Sequence, residues 1–157
     1  MNYLASLLIF CTLIFPSKIN NGNQQRAVMQ SVFDIEEFQK HLAYSPRFVG
    51  TNNRLEVLMV GLPDLENDEV QFEVRNKSIR ITSEKEIEEL EHHFYIRIDE
   101  FDLKKSKARV MLSYQNSRMY YEKEQKILLN AQLLKNSNNE WIVENYNLDE
   151  VSINTSD

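Results

Sequence analysis

Three histidines, a run of acids and a group of tyrosines are the side chains with which this chain could do chemistry. The histidines are His41, His92 and His93. Glu88 and His92, like Glu89 and His93, stand four apart, so a helix reaching residue 93 would set each pair on one face. Carboxylate plus imidazole can bind zinc. A catalytic zinc site needs a third ligand and an open position, and the HExxH arrangement with its internal base is missing. The plainer reading is a solvated acidic helix running into a strand. No metal and no other cofactor is expected.

Asp99, Glu100 and Asp102 cluster where the apolar parity of a strand slips, the mark of a β-bulge. A carboxylate buried there by apolar walls could serve as a general base. An exposed strand end with ordinary surface charges is the simpler expectation. Tyr114, Tyr120 and Tyr121 surround one connection, with Met119 beside them. Aromatics and methionine are enriched in contact patches, and they serve equally as cross-strand pairs that stabilise a sheet. If Tyr120 and Tyr121 sit on a strand, alternation sends one of them away from the core. These three tyrosines are the candidate binding residues. No GxSxG nucleophile elbow occurs. The only glycine after Gly50 is Gly61, so neither a Walker loop nor a dinucleotide fingerprint is possible in the sheet region.

The elements that must position these groups begin with a helix. Asp34 and Glu37 have capping-box spacing, Phe33 and Phe38 that of a hydrophobic staple, and Ile35, Phe38 and Leu42 line one face. A helix from 35 to about 44, ended by Ser45-Pro46, is predicted. The polar stretch 20–30 reads as a linker. Period-two alternation then takes over. Leu55, Val57 and Met59 form one strand, Val70, Phe72 and Val74 a second, and Ile79 and Ile81 a third after an Asn76-Lys77 turn. Ser83 to Glu86 is a second capping box, opening a short helix with Ile87, Leu90 and Phe94 on one face. Phe94, Ile96 and Ile98 lead a strand that slips to Phe101 and Leu103, and Ala108 to Tyr114 follow. Met119 to Lys135 reads as a strand or strand pair, Asn136 to Asn139 as a hairpin loop, and Trp141 to Leu148 as the last strand. The tail 152–157 is expected to be disordered.

Composition bounds what such a domain can do. The chain has 157 residues, 42% hydrophobic and 27% charged, which is too apolar for disorder and sufficient for one core. Its three glycines compare with roughly eleven expected at average usage. A formal charge of −6 argues against a general nucleic-acid binder, which requires a basic surface. Tyr3 to Phe15 is an apolar run of signal-peptide length, short of the roughly twenty residues of a membrane span. No Lys or Arg precedes it, and no clean small-x-small cleavage site follows. Residues 1–26 therefore read as a signal peptide or N-terminal anchor plus linker, 27–151 as a single domain. Export to the periplasm, cell surface or medium is the expectation, with membrane attachment only if 1–26 is retained. Removal would take the single cysteine, Cys11. Lys18 and Arg26 are the only charges before residue 27, so the remainder holds 16 basic and 24 acidic groups, a net of −8. Asn76 and Asn154 head glycosylation sequons, which matter only in a eukaryotic secretory route.

From Lys77 to Asn147 the pattern resembles small exported α+β domains of Bacteroidetes-type bacteria. The matching residues are Ile79 to Ile87, Phe94-Tyr95-Ile96, Lys107-Ala108-Arg109-Val110 and Glu140-Trp141-Ile142-Val143. The last two segments also resemble the sheet endings of cystatin-like and NTF2-like folds. Glu140 stands where those have a glycine before the tryptophan. The resemblance implies architecture and carries no activity. The fold class expected is α+β: an N-terminal amphipathic helix packed on a curved antiparallel sheet, with a short helix between strands, cystatin-like or NTF2-like. The function expected is a non-catalytic binding or structural module with a protein or cell-envelope partner. The alternative is a small NTF2-like enzyme using a pocket carboxylate as general base.

Overall fold

A computed structural model describes residues 21–42, 55–62, 71–74, 77–91, 94–116 and 118–153. The apolar run Tyr3 to Phe15 with Cys11, the Ser45-Pro46 helix end, His92, His93, the sequon asparagines Asn76 and Asn154, and residues 154–157 of the tail lie outside them.

Two helices lead the chain, α1 (Asn21–Phe33) and α2 (Glu36–Leu42). Helix α1 occupies the stretch whose polarity predicts a linker. Gln25, Val28, Met29, Val32 and Phe33 are all buried, a helical i, i+3, i+4, i+7, i+8 stripe in which a glutamine takes the first place. Gln25 is only 3% exposed and its Oε1 meets no donor among the described residues, so this end of the stripe sits in the core at a desolvation cost. Helix α2 matches expectation in part. The Phe33 and Phe38 rings stack with centroids 6.3 Å apart, as the staple requires, whereas the Asp34 carboxylate accepts from Gln30 Nε2 at 3.0 Å.

Seven strands follow: β1 (Leu55–Val60), β2 (Gln71–Val74), β3 (Lys77–Ile81), β4 (Tyr95–Leu103), β5 (Lys107–Tyr114), β6 (Gln125–Lys135) and β7 (Trp141–Ser152). Helix α3 (Glu84–Glu89) separates β3 from β4, and a π-helical turn (Met119–Lys123) separates β5 from β6. The order across the sheet is β2-β3-β1-β4-β5-β6-β7, curled as a half-barrel. The protein is thus a sheet-dominated domain of α+β character.

The sheet is mixed, which corrects the antiparallel expectation. β4 to β7 form an antiparallel meander, but β1 runs parallel to both of its neighbours, β3 and β4. The cause lies in Leu55-Glu56-Val57-Leu58-Met59-Val60. Val57 and Met59 enter the main core, while Leu58 and Val60 are buried on the opposite face with Ile87 of α3 and Tyr95. Parallel strands need a crossover, and α3 supplies it by passing over β1. A strand covered on both sides reads as a near-continuous apolar run, and one-sided alternation misdescribes it.

Ser83 caps α3 by accepting from Glu86 N–H at 3.2 Å. The Glu86 carboxylate does not return to Ser83. It pairs with Arg80 at 2.8 Å and accepts from the Thr82 hydroxyl, while Arg80 also reaches Glu56 at 3.2 Å. The expected bulge is present, as a register shift between Ile98 and Glu100. The Asn136 hairpin is built as expected: Asn136 Oδ1 accepts from the Asn138 and Glu140 N–H groups, and Asn139 adopts φ 64°. Glu91 and Glu124 also take positive φ, so asparagine is not the only substitute for the scarce glycine. At the other end, β7 runs through Ser152, and Ile153 N–H donates to Glu124 O at 2.8 Å, so order extends past residue 151.

Helix α1 lies between the two edge strands of the half-barrel. Gln30 Nε2 donates to Glu73 O of β2 at 3.3 Å, and the adjacent Ser31 Oγ donates to Trp141 O of β7 at 2.9 Å. Gln24 Oε1 accepts from both Trp141 Nε1 at 3.1 Å and Lys135 Nζ at 2.8 Å. The helix stripe and these four bonds close the inner face over one continuous core.

Candidate functional site

The chain between β5 and β6 builds a raised aromatic surface. Asn116, 1% exposed, is its foundation. Its Oδ1 accepts from Met119 N–H at 2.9 Å, its backbone carbonyl from Tyr120 N–H at 2.9 Å, and its Nδ2 donates to His41 O at 3.3 Å. Met119 is buried and anchors the turn inward. Glu124, at φ 51°, ends it by donating its N–H to Met119 O and accepting from Ile153. The π-helical turn is therefore fixed at its start by a side-chain amide and at its end by Ile153. Exposed ion pairs, Arg118 with Glu122 at 3.1 Å and Lys123 with Glu150 at 3.0 Å, flank it.

This turn gives Tyr120 and Tyr121 a relation that a strand forbids. Both rings lie against Phe94, with centroids 5.9 Å and 5.8 Å away, and against each other at 5.0 Å. All three contacts are edge-to-face, the favoured arrangement of ring quadrupoles. Tyr120 is half-buried, and Tyr121 is 70% exposed. The reading of Met119 to Lys135 as strand is corrected here, since only Gln125 onward is strand.

Tyr114 does not join them. It is 1% exposed and packs edge-on against Phe38 at 6.1 Å, and burial pushes its phenol pKa above the ordinary value. It is a core residue of β5. Phe94, which the sequence pattern places on the α3 face or at the strand start, takes its place in the cluster. Its signal in the sequence is position: it immediately precedes β4, whose Ile96 pairs with Tyr114 near the end of β5.

His41 is a neighbour of this foundation. Burial lowers its pKa, opposed by the carboxylates of Glu150 and Glu37. The expected pairs Glu88 with His92 and Glu89 with His93 involve histidines that lie outside the described residues. Helix α3 stops at Glu89, Leu90 is its C-cap, and Glu91 turns to φ 47°. Leu90, expected on the buried face, is 46% exposed. Among the described residues no three His, Cys, Asp or Glu side chains converge on one point.

The bulge carboxylates are surface groups. Asp99, Glu100 and Asp102 are exposed, with Glu100 3.6 Å from Arg109 and Asp102 2.9 Å from Lys104. Asp99 lines an open groove of about 260 Å³ on the outer face of β4 to β6 with Arg97 and Lys126. No described helix is long and apolar enough to cross a membrane.

Comparison of the chain with protein-family models, with curated proteins and with solved structures found no significant match. The aromatic turn and its supports therefore stand on their own geometry: a rigid platform of three rings, one of them open to solvent, on a sheet whose inner face is filled.

Proposed function

We infer that this protein is an exported, non-catalytic binding module that engages a protein or cell-envelope partner through Phe94, Tyr120 and Tyr121. The observation that carries this reading is Tyr121, a large ring left 70% exposed yet held in position by two ring contacts. A side chain whose rotamer is already fixed loses little entropy on binding, the property of an anchor residue. The short apolar run Tyr3 to Phe15 supports export. The curled β4–β7 meander wrapped on a helix supports kinship with cystatin-like or NTF2-like sheets, while the parallel pairing of β1 departs from the antiparallel sheet that kinship implies.

The test has two arms. Intact-mass measurement of the protein from the organism that encodes it should show loss of the N-terminal segment, and a full-length mass in a cytosolic fraction would contradict export. Replacing Tyr121 by alanine should abolish association with the native cell envelope or its proteins while leaving the melting temperature in place. Unchanged association would contradict the role of the rings.

A further inference from the structure

The half-barrel has a second open surface, along the first half of β7. Strand β7 ends the strand order, so from Ile142 to Val151 its outer rim of backbone groups faces no other strand among the described residues, while the Trp141 carbonyl is taken by Ser31. Beside that rim lies a cleft of about 450 Å³ between the α1–α2 corner and the first half of β7. Its apolar floor includes Ile35, Ile142 and Tyr146, of which Ile142 is 50% and Tyr146 40% exposed. Its charged lining is acidic throughout: Asp34, Glu36 and Glu144, with Glu37 held beside them as acceptor of the Tyr146 hydroxyl at 3.1 Å. Strand β7 itself carries Glu144, Asp149 and Glu150 and no Lys or Arg.

An open strand edge next to an apolar cleft is the geometry of β-strand addition, in which main-chain hydrogen bonds give affinity and alternate side chains fill the cleft. Charge selects the occupant. A second copy would bring the same acidic edge against this one, and like charges across an interface cost several kcal/mol. A basic segment meets the opposite field. We propose that the β7 edge and the α2 cleft bind an extended cationic peptide segment as an eighth strand that crosses the register shift at Glu144, with an apolar side chain over Tyr146 and lysine or arginine against Glu36 and Glu144. The site is independent of the aromatic turn and does not rest on it.

The probe is a blocked eight-residue peptide of alternating Lys and Val, carrying a fluorophore, titrated against the full chain at low salt. It should bind with a Kd of roughly tens of micromolar, weaken as salt is raised, and slow amide exchange along Val143 to Val151. Two controls separate mechanism from stickiness. A Lys-Val peptide with proline at two central positions cannot donate along the edge and should bind at least about tenfold more weakly. The double variant Glu36→Lys with Glu144→Lys changes two exposed side chains and breaks the exposed Glu36–Lys40 pair at 3.7 Å, so its melting temperature should fall by only a few degrees, and it should lose about tenfold or more in affinity. Absence of binding below millimolar peptide would overturn the proposal, as would equal binding of the proline peptide or of the double variant. So would protection of the β7 amides by the protein's own dimerisation, which would make a second copy the occupant.

Discussion

The rings of Tyr120 and Tyr121, neighbours in sequence, meet edge to face with centroids 5.0 Å apart and planes at 87°. Consecutive residues of a strand point to opposite faces, so the contact exists only because the backbone takes a π-helical turn there. The turn in turn depends on Asn116, whose amide and carbonyl hold Met119 and Tyr120.

The two tyrosines should separate in their effect on stability. Tyr120 is half-buried between Phe94 and Tyr121, and Tyr120→Ala should cost about 1–2 kcal/mol in urea unfolding. Tyr121→Ala removes a mostly exposed ring and should cost less than about 1 kcal/mol. A larger loss at Tyr121 than at Tyr120 would assign the exposed ring to the core.

Tyr114 should limit stability in alkali. Burial raises its phenol pKa in the folded protein, so the folded state holds the proton after the unfolded chain has released it. The associated stability is complete below the ordinary tyrosine value and is lost as pH rises above it. Tyr114→Phe keeps the ring against Phe38 and should flatten the alkaline limb of a stability-versus-pH curve. An unchanged limb would mean that the phenol titrates freely.

The sheet region shows what pattern reading recovers. The Ser83 cap, the bulge at Asp99, the Asn136 hairpin and the β4–β7 meander follow from local rules, and each stands where those rules put it. Helix α1 was hidden because its apolar stripe starts with Gln25 and lies among Asn and Gln residues. The parallel pairing of β1 was hidden because Leu58 and Val60 become buried only when α3 arrives from later in the chain. The candidate site was half legible for the same reason. Composition singled out Tyr120 and Tyr121, but their common contact, Phe94, is a matter of tertiary register.

The Arg80–Glu86 pair should fade in acid. Hydrogen bonds from Arg80 and then from Thr82 hold the Glu86 carboxyl below the ordinary carboxylate range, so its contribution is present above that range and disappears as pH falls through the folded value. The Glu86 side chain is 37% exposed, which screens the pair and keeps its worth near about 0.5 kcal/mol. Glu86→Gln should therefore be slightly less stable than the parent at neutral pH and indistinguishable from it in acid. A gap that persists at low pH would show that shape, not charge, docks α3.

Gly61 should tolerate no side chain. Its φ is 88°, and a Cβ would stand 2.6 Å from the backbone oxygen of Ile98 in β4. Gly61→Ala should cost roughly 2–3 kcal/mol or more by adding backbone strain to a clash that a rotamer change cannot relieve. A loss below about 0.5 kcal/mol would mean that the β1 exit is not held as described.

The central claim is that the Phe94–Tyr120–Tyr121 platform is a contact surface. Its most direct test replaces Tyr121 by a photo-reactive phenylalanine in the native host, with the exposed hairpin residue Lys105 replaced likewise as a control. Irradiation should give one discrete adduct from position 121 and none from position 105. Excess purified parent protein should compete that adduct away, and the Tyr120→Ala with Tyr121→Ala double variant should not. No adduct at 121, or one that both competitors suppress equally, would contradict the platform as a binding site.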